Sequence, residues 1–348
     1  MRSSSESARA FWRGWSRVLL APETILGVWL ATALAALPAA ILMHDAISTQ
    51  LGSSLTASKV AAGFDFGWWE EFEAQARGVA TTLAPVVIGA AAPVSNWSSL
   101  MDGSGIPRSL LVQVTFALTV WLFLSGGLID RFARGRRIGT RAFFGTCGLF
   151  FFRFLRLGLL IGAAYYVLTG WFHALLFDVL FPWITHEVTS ERAAFAWRVA
   201  LYSIWLLPLL AVNIVADYAK VRAVVEDRRS MLGALAAGAR FVARHPVAAV
   251  GLYLTNTLVL AVCFSFYLLA APGAHGGDWR LLEVLVIGQA WILARVTTKL
   301  AFMSTSAALF QGLLAHAEYT APPVPVWPES PAAEAIENAV RFGVRSEP

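Results

Sequence analysis

Residues 24–43 read TILGVWLATALAALPAAILM, twenty residues without a charge. At 1.5 Å per residue such a run, as a helix, crosses the roughly 30 Å hydrocarbon core of a bilayer. It is longer than the apolar core of a usual signal peptide. Comparable runs recur near residues 110–129, 155–180, 194–215, 247–270 and 281–303. In lipid, no water satisfies exposed backbone groups, so a spanning segment of this kind has to be a helix. This feature alone predicts an all-α fold: a polytopic transmembrane helix bundle of about six spans, with amphipathic interfacial helices. Composition agrees. The chain is 57% hydrophobic and 14% charged, against about 45–50% and 25% in soluble domains, so it has too little polar surface to face water on all sides.

The 27 Lys and Arg residues set the expected orientation. Nineteen fall in residues 1–22, 131–156, 217–246 and the tail, six lie in the alternate segments, and Arg295 and Lys299 sit in the inner half of the sixth run. The positive-inside rule then places both termini in the cytoplasm. A net charge of +5 raises nucleic acid as a partner for a soluble protein. Here the basic residues flank apolar runs, which points to a phospholipid bilayer and not to nucleic acid. The expected location is a bacterial inner membrane.

Three regions flank the spans. Residues 1–22 read as a basic interfacial arm, with Arg9, Arg13 and Arg17 interleaved among Phe11, Trp12 and Trp15 at helical spacing. Residues 23–318 form the transmembrane domain, including an outer segment, 44–107. Residues 319–348, rich in proline and acid, read as a mobile cytoplasmic tail with a short helix near 332–341. In the outer segment, Phe64, Trp68, Trp69 and Phe72 can share the apolar face of an interfacial helix. Residues 78–94 carry no charge but contain Pro85 and Pro93. Crossing there would invert the basic loops, so they read as re-entrant or surface-lying. The first span carries Gly27, Ala31, Ala35 and Ala39 on one stripe, and the third carries Gly158 and Gly162 as GxxxG, both patterns that admit close helix approach.

The two basic connections match at an offset of 87: Asp130 with Asp217, Arg141 with Arg228, Arg153 with Arg240 and Phe154 with Phe241. In each, a span ends in Asp, a basic run and a surface helix follow (141–152 in the first), and a new span begins. Either two parallel hairpin units repeat, or inner loops of this length simply look alike.

Chemistry-bearing motifs are sparse. There is no HExxH, Walker A loop or GxGxxG, and the glycines around Ser104 and Ser125 do not make a nucleophile elbow. Cys147 and Cys263 are too far apart in the expected topology for a disulfide, and their spacing suits no metal. No cofactor is implied. Helical spacing pairs Asp217 with Lys220, Arg222 with Glu226, and Glu226 with Arg229. Ionisable groups in a span usually face the bundle and pair. That predicts an inner charged cluster of Asp130, Asp217, Glu226, Arg295 and Lys299, acting as a fold-fixing clamp or as a gate or headgroup site. Gln113, Asn256 and Gln289 should make interhelical hydrogen bonds. His173, mid-span, should meet a backbone carbonyl, with a proton relay as the alternative.

The segments DYAKVRAVVEDRRS and LSGGLIDRFARGRR resemble those of a group of uncharacterised bacterial six-span membrane proteins. The resemblance implies topology and supplies no catalytic residues. The expected function is non-catalytic: organising or handling lipid or a membrane-protein partner. The competing expectations are a small-molecule transporter or lipid translocator, with a path between the hairpin units lined by His173, Asn256 and Gln289, and an intramembrane enzyme, for which no acid/base set can be assembled.

Overall fold

A computed structural model describes residues 2–52, 54–83, 91–135, 139–271 and 278–316. The expectations for the tail and for the middle of the 78–94 segment lie outside them. The chain divides into two compact units, Met1–Phe310 and Gln311–Pro348. The architecture below is that of the first.

Among the described residues, six helices are long and apolar enough to cross a membrane: Pro22–Leu51, Arg108–Arg134, Thr140–Thr185, Glu191–Val225, Pro246–Ala270 and Leu282–Leu314. This is the architecture of a multi-pass membrane protein, and no strand occurs among the described residues. In chain order the helices are α1 (Arg2–Leu19), α2 (Pro22–Leu51), α3 (Ala57–Ala62), α4 (Phe66–Gln75), α5 (Ala91–Met101), α6 (Leu111–Arg134), α7 (Thr140–Tyr166), α8 (Phe181–Thr185), α9 (Glu191–Val225), α10 (Met231–Arg244), α11 (Pro246–Ala270) and α12 (Asp278–His316).

Residues 141–152 do not form a separate surface helix. They open one continuous helix, Thr140–Thr185, 46 residues long. Neither glycine nor proline interrupts FFFRFLRL (residues 150–157), so nothing there stops the helical ladder. The helix relaxes instead into two π-helical stretches, Val167–Phe172 and Leu175–Leu180. A π turn shifts the ladder and frees a carbonyl. The carbonyl of Leu168 accepts a hydrogen bond from the Trp205 indole Nε1 at 2.8 Å.

The best-packed part of the bundle lies at the end carrying the basic connections, called here the basic end. There α6 buries Ser125–Phe132, α7 buries Cys147, Phe150 and Phe154, and α10 buries Ala234, Ala237 and Phe241. The central post is α12, where Met303 through Phe310 are all buried. Ser304, Thr305, Ser306, Ala307 and Ala308 are small enough to let neighbours close in from every side. Close helix approach uses Gly126 and Gly127, where a Cβ would lie 2.7 Å from Phe150 Cβ and 2.5 Å from Cys147 Sγ. The GxxxG pair takes no such role. Gly158 meets Leu122 at ordinary contact and Gly162 faces open space.

The arm at residues 1–22 folds as α1 and docks into this core. Trp15 Nε1 donates to Asn256 Oδ1 at 3.0 Å, Asn256 Nδ2 donates to Thr305 Oγ1 at 2.9 Å, and Ser304 Oγ donates to the Gly14 carbonyl at 3.0 Å. Arg17 Nη1 donates to the Phe132 carbonyl at 2.9 Å. The 87-residue offset reappears in packing: Ile129 and Ala216, Phe132 and Ala219, Cys147 and Ala234, Phe150 and Ala237, and Phe154 and Phe241 are buried pairwise. The units differ at Pro246, which divides α10 from α11 where the first unit stays continuous.

Candidate functional site

Between α2, α6 and α12 lies a cleft of about 450 Å³. Its walls are built from small and aliphatic side chains. Ala31, Ala35 and Ala36 supply the α2 wall, and Val114, Ala117 and Leu118 the α6 wall. The small-residue stripe anticipated on the first span therefore forms a wall, with Ala35 buried. Gly27, on the same stripe, faces open space. The cleft is open sideways: Thr32, Ala36, Ala117 and Leu118 are exposed. Along α6 it runs from Gln113 to Leu124, about 16 Å by helical rise. That is close to half of the roughly 30 Å hydrocarbon core, the depth of one leaflet.

Polar groups mark its ends. Gln113 Nε2 donates to the Ala35 carbonyl and ties α6 to α2 at the end away from the basic connections. Arg295 and Lys299, one turn apart on α12, line the opposite end. Both are exposed to the cleft. Lys299 Nζ stands 3.5 Å from the centroid of Trp121, a cation–π contact.

The five residues of the expected charged cluster do not gather into one. Asp130 pairs with Arg134 at 2.8 Å and Asp217 with Lys220 at 2.9 Å. Glu226 takes Arg222 at 2.7 Å and also Arg228. Each carboxylate finds a cation within four residues, which orders fewer groups than a bond across helices. Asp217 is not within ion-pair distance of Lys299. Among the described residues, neither Arg295 nor Lys299 has a carboxylate within 4.0 Å. The expected Glu226–Arg229 pair is replaced by Glu226–Arg228. α9 ends at Val225, and Asp227, at φ 46°, turns the chain, so helical spacing no longer applies. Burial raises the Glu226 carboxyl, but hydrogen bonds from Arg222 and Arg228 outweigh it and hold the group below its ordinary 4.5. Asp227 pairs with Arg153 at 2.6 Å, and this bond lowers its pKa from 3.8.

The intramembrane polar residues lie apart from one another. Asn256 is enclosed among α1, α11 and α12, and Gln289 Oε1 accepts from Trp29 Nε1 at 2.9 Å. His173 is buried between the π-helical stretches, and its Nε2 lies 2.8 Å from the Met101 carbonyl. A carbonyl only accepts, so Nε2 carries the proton. The ring packs on Phe177 and Trp205. Gly103, at φ +67°, lies so close that a Cβ would stand 2.9 Å from the imidazole. The three residues make separate interhelical ties and do not line a common path.

The aromatic quartet of the outer segment also divides. Trp68 and Phe72 are buried with Ala80 against Ala46, Ile47 and Leu51 of α2, forming a small core of their own. Trp69 packs at the edge of the same core, its ring centroid 6.5 Å from that of Phe64, and its Nε1 donates to the Leu83 carbonyl at 3.2 Å. Asp65 caps α4 by accepting from the Trp68 amide at 2.9 Å.

Sequence reasoning picked out Arg295, Lys299, Gln113 and the alanine stripe but did not join them, and it missed Trp121. The available signal was the four-residue spacing of the two cations, opposite a span with no charge. Comparison with protein-family models, curated proteins and solved structures finds no match, so the resemblance to six-span proteins rests on its motifs alone.

Proposed function

We propose that this is a non-catalytic integral protein of the bacterial inner membrane, with both termini cytoplasmic, that holds a membrane lipid in the cleft between α2, α6 and α12. The cleft itself carries the reading: apolar walls, an opening toward the surrounding lipid, and a length of one leaflet. An acyl chain lying in it buries methylenes at roughly 0.8 kcal/mol each relative to water. In a bilayer the gain comes instead from close packing against a preformed wall. The orientation is supported by the concentration of Lys and Arg at the basic end. A translocator would need a path through both leaflets, and the cleft is about half that length.

Native mass spectrometry of the full chain in a mild detergent tests this. The wild type should carry a lipid adduct. Ala36→Trp, which fills the cleft from an exposed position, should lose it with the melting temperature unchanged. A bare wild type, or an adduct that survives Ala36→Trp, would sink the proposal. A protein co-purifying in place of lipid would do the same.

A further inference from the structure

The cleft discriminates between headgroups. Building on the lipid-holding reading, we infer that Arg295 and Lys299 form a phosphate site that selects an anionic phospholipid from the leaflet at the basic end.

The argument starts from cost. A cation within a span is expensive unless it is paired or reaches water. At this end of the bundle the nearby carboxylates are already engaged: Asp130 with Arg134, Asp217 with Lys220, and Glu23 with Arg131. Among the described residues, Arg295 and Lys299 have none within ion-pair distance. They lie one turn apart on the same helix face, so their Cβ atoms stand about 5–6 Å from each other, and both line the cleft. Two long cationic side chains at that separation converge on a single phosphodiester. The Arg295 guanidinium offers a planar fork suited to two phosphate oxygens. The Lys299 ammonium rests on the Trp121 ring, which positions it without neutralising it. Along the cleft the two cations stand at the end toward the basic connections, hydrocarbon walls lie beyond them, and uncharged Gln113 closes the far end. A neutral zwitterionic headgroup would bring its own ammonium toward these two cations. A headgroup with net negative charge would not.

Selectivity can be read directly. The full-length protein in mild detergent is offered equal amounts of phosphatidylglycerol and phosphatidylcholine with identical chains, and retained adducts are counted by native mass spectrometry. The wild type should retain the anionic lipid roughly 10- to 30-fold better, the combined effect expected of two cations near an anionic headgroup. Arg295→Gln and Lys299→Gln should each cut that preference by about fivefold, and Arg295→Lys and Lys299→Arg should keep most of it. Ala36→Trp should abolish both adducts, which places the binding in the cleft and not on the basic surface. Equal retention of the two lipids by the wild type would overturn the inference and leave the lipid-holding cleft intact. So would a preference unmoved by either Gln variant. No adduct of either kind would remove both readings.

Discussion

At the scale of single residues, the contacts that decide this structure are made by small groups. Gly14 of α1 faces Thr305 so closely that a Cβ would stand 2.4 Å from its Cγ2 and 2.6 Å from its Cα and amide nitrogen. Backbone on α12 cannot yield as a flexible side chain would. Gly14→Ala is therefore expected to cost about 1–3 kcal/mol through overpacking, seen as a lower melting temperature in detergent. Gly162→Ala, with nothing within 4 Å, should leave the melting temperature level or raise it, because alanine favours helix. Equal effects of the two substitutions would contradict the packing described. Gly14 was not legible as critical in the sequence. Gly158 and Gly162 carried the familiar spacing instead, and spacing alone does not say which helix face meets a neighbour.

At the scale of elements, the α9–α10 connection shows how a sequence pattern is partly overruled by a turn. The Asp217–Lys220 and Arg222–Glu226 pairs follow from helical spacing and are present. Glu226 then binds Arg228, because the helix has ended and the backbone reverses at Asp227. Arg222 also donates to the Ala237 carbonyl at 2.8 Å and lies over the Phe310 ring, so one arginine joins α9, α10 and α12. The Glu226 carboxyl is held below its ordinary 4.5 in the folded protein. Below that value the unfolded chain binds more protons than the folded one, so stability rises with pH across the window. The contribution of Glu226 is complete above pH 4.5 and is lost as pH falls through the depressed folded value. Thermal melts across this acid range should show the wild type losing stability more steeply than Glu226→Gln. Parallel curves for the two would show that the carboxylate is not engaged.

At the scale of the whole molecule, the N-terminal helix acts as a keystone. Among the described residues, four interhelical hydrogen bonds join α1 to α6, α11 and α12. At about 0.6–2 kcal/mol each, and with Ala10 and Val18 buried besides, deletion of residues 1–19 should cost on the order of 3 kcal/mol or more. The measurement is the melting temperature in detergent beside the wild type; an unchanged value would show that α1 is a peripheral arm. The sequence by itself determined the helical class, the six spans and their approximate limits. Those follow from the obligation of backbone in lipid to bond within its own segment, a local rule that composition and length reveal. It also marked Arg295 and Lys299 as unusual, because a charge in a span is costly wherever it points. Only the tertiary structure decided that the five-residue charged cluster separates into local pairs, that Trp68 and Phe72 turn inward, that α1 is part of the core, and that α2, α6 and α12 part to leave a cleft. The physical reason is that helix propensity and hydropathy act within a segment. A cleft and the cations that line it depend on which faces of distant segments meet, and that is settled by the fit of side chains such as Gly14, Ala35 and Thr305 across helices.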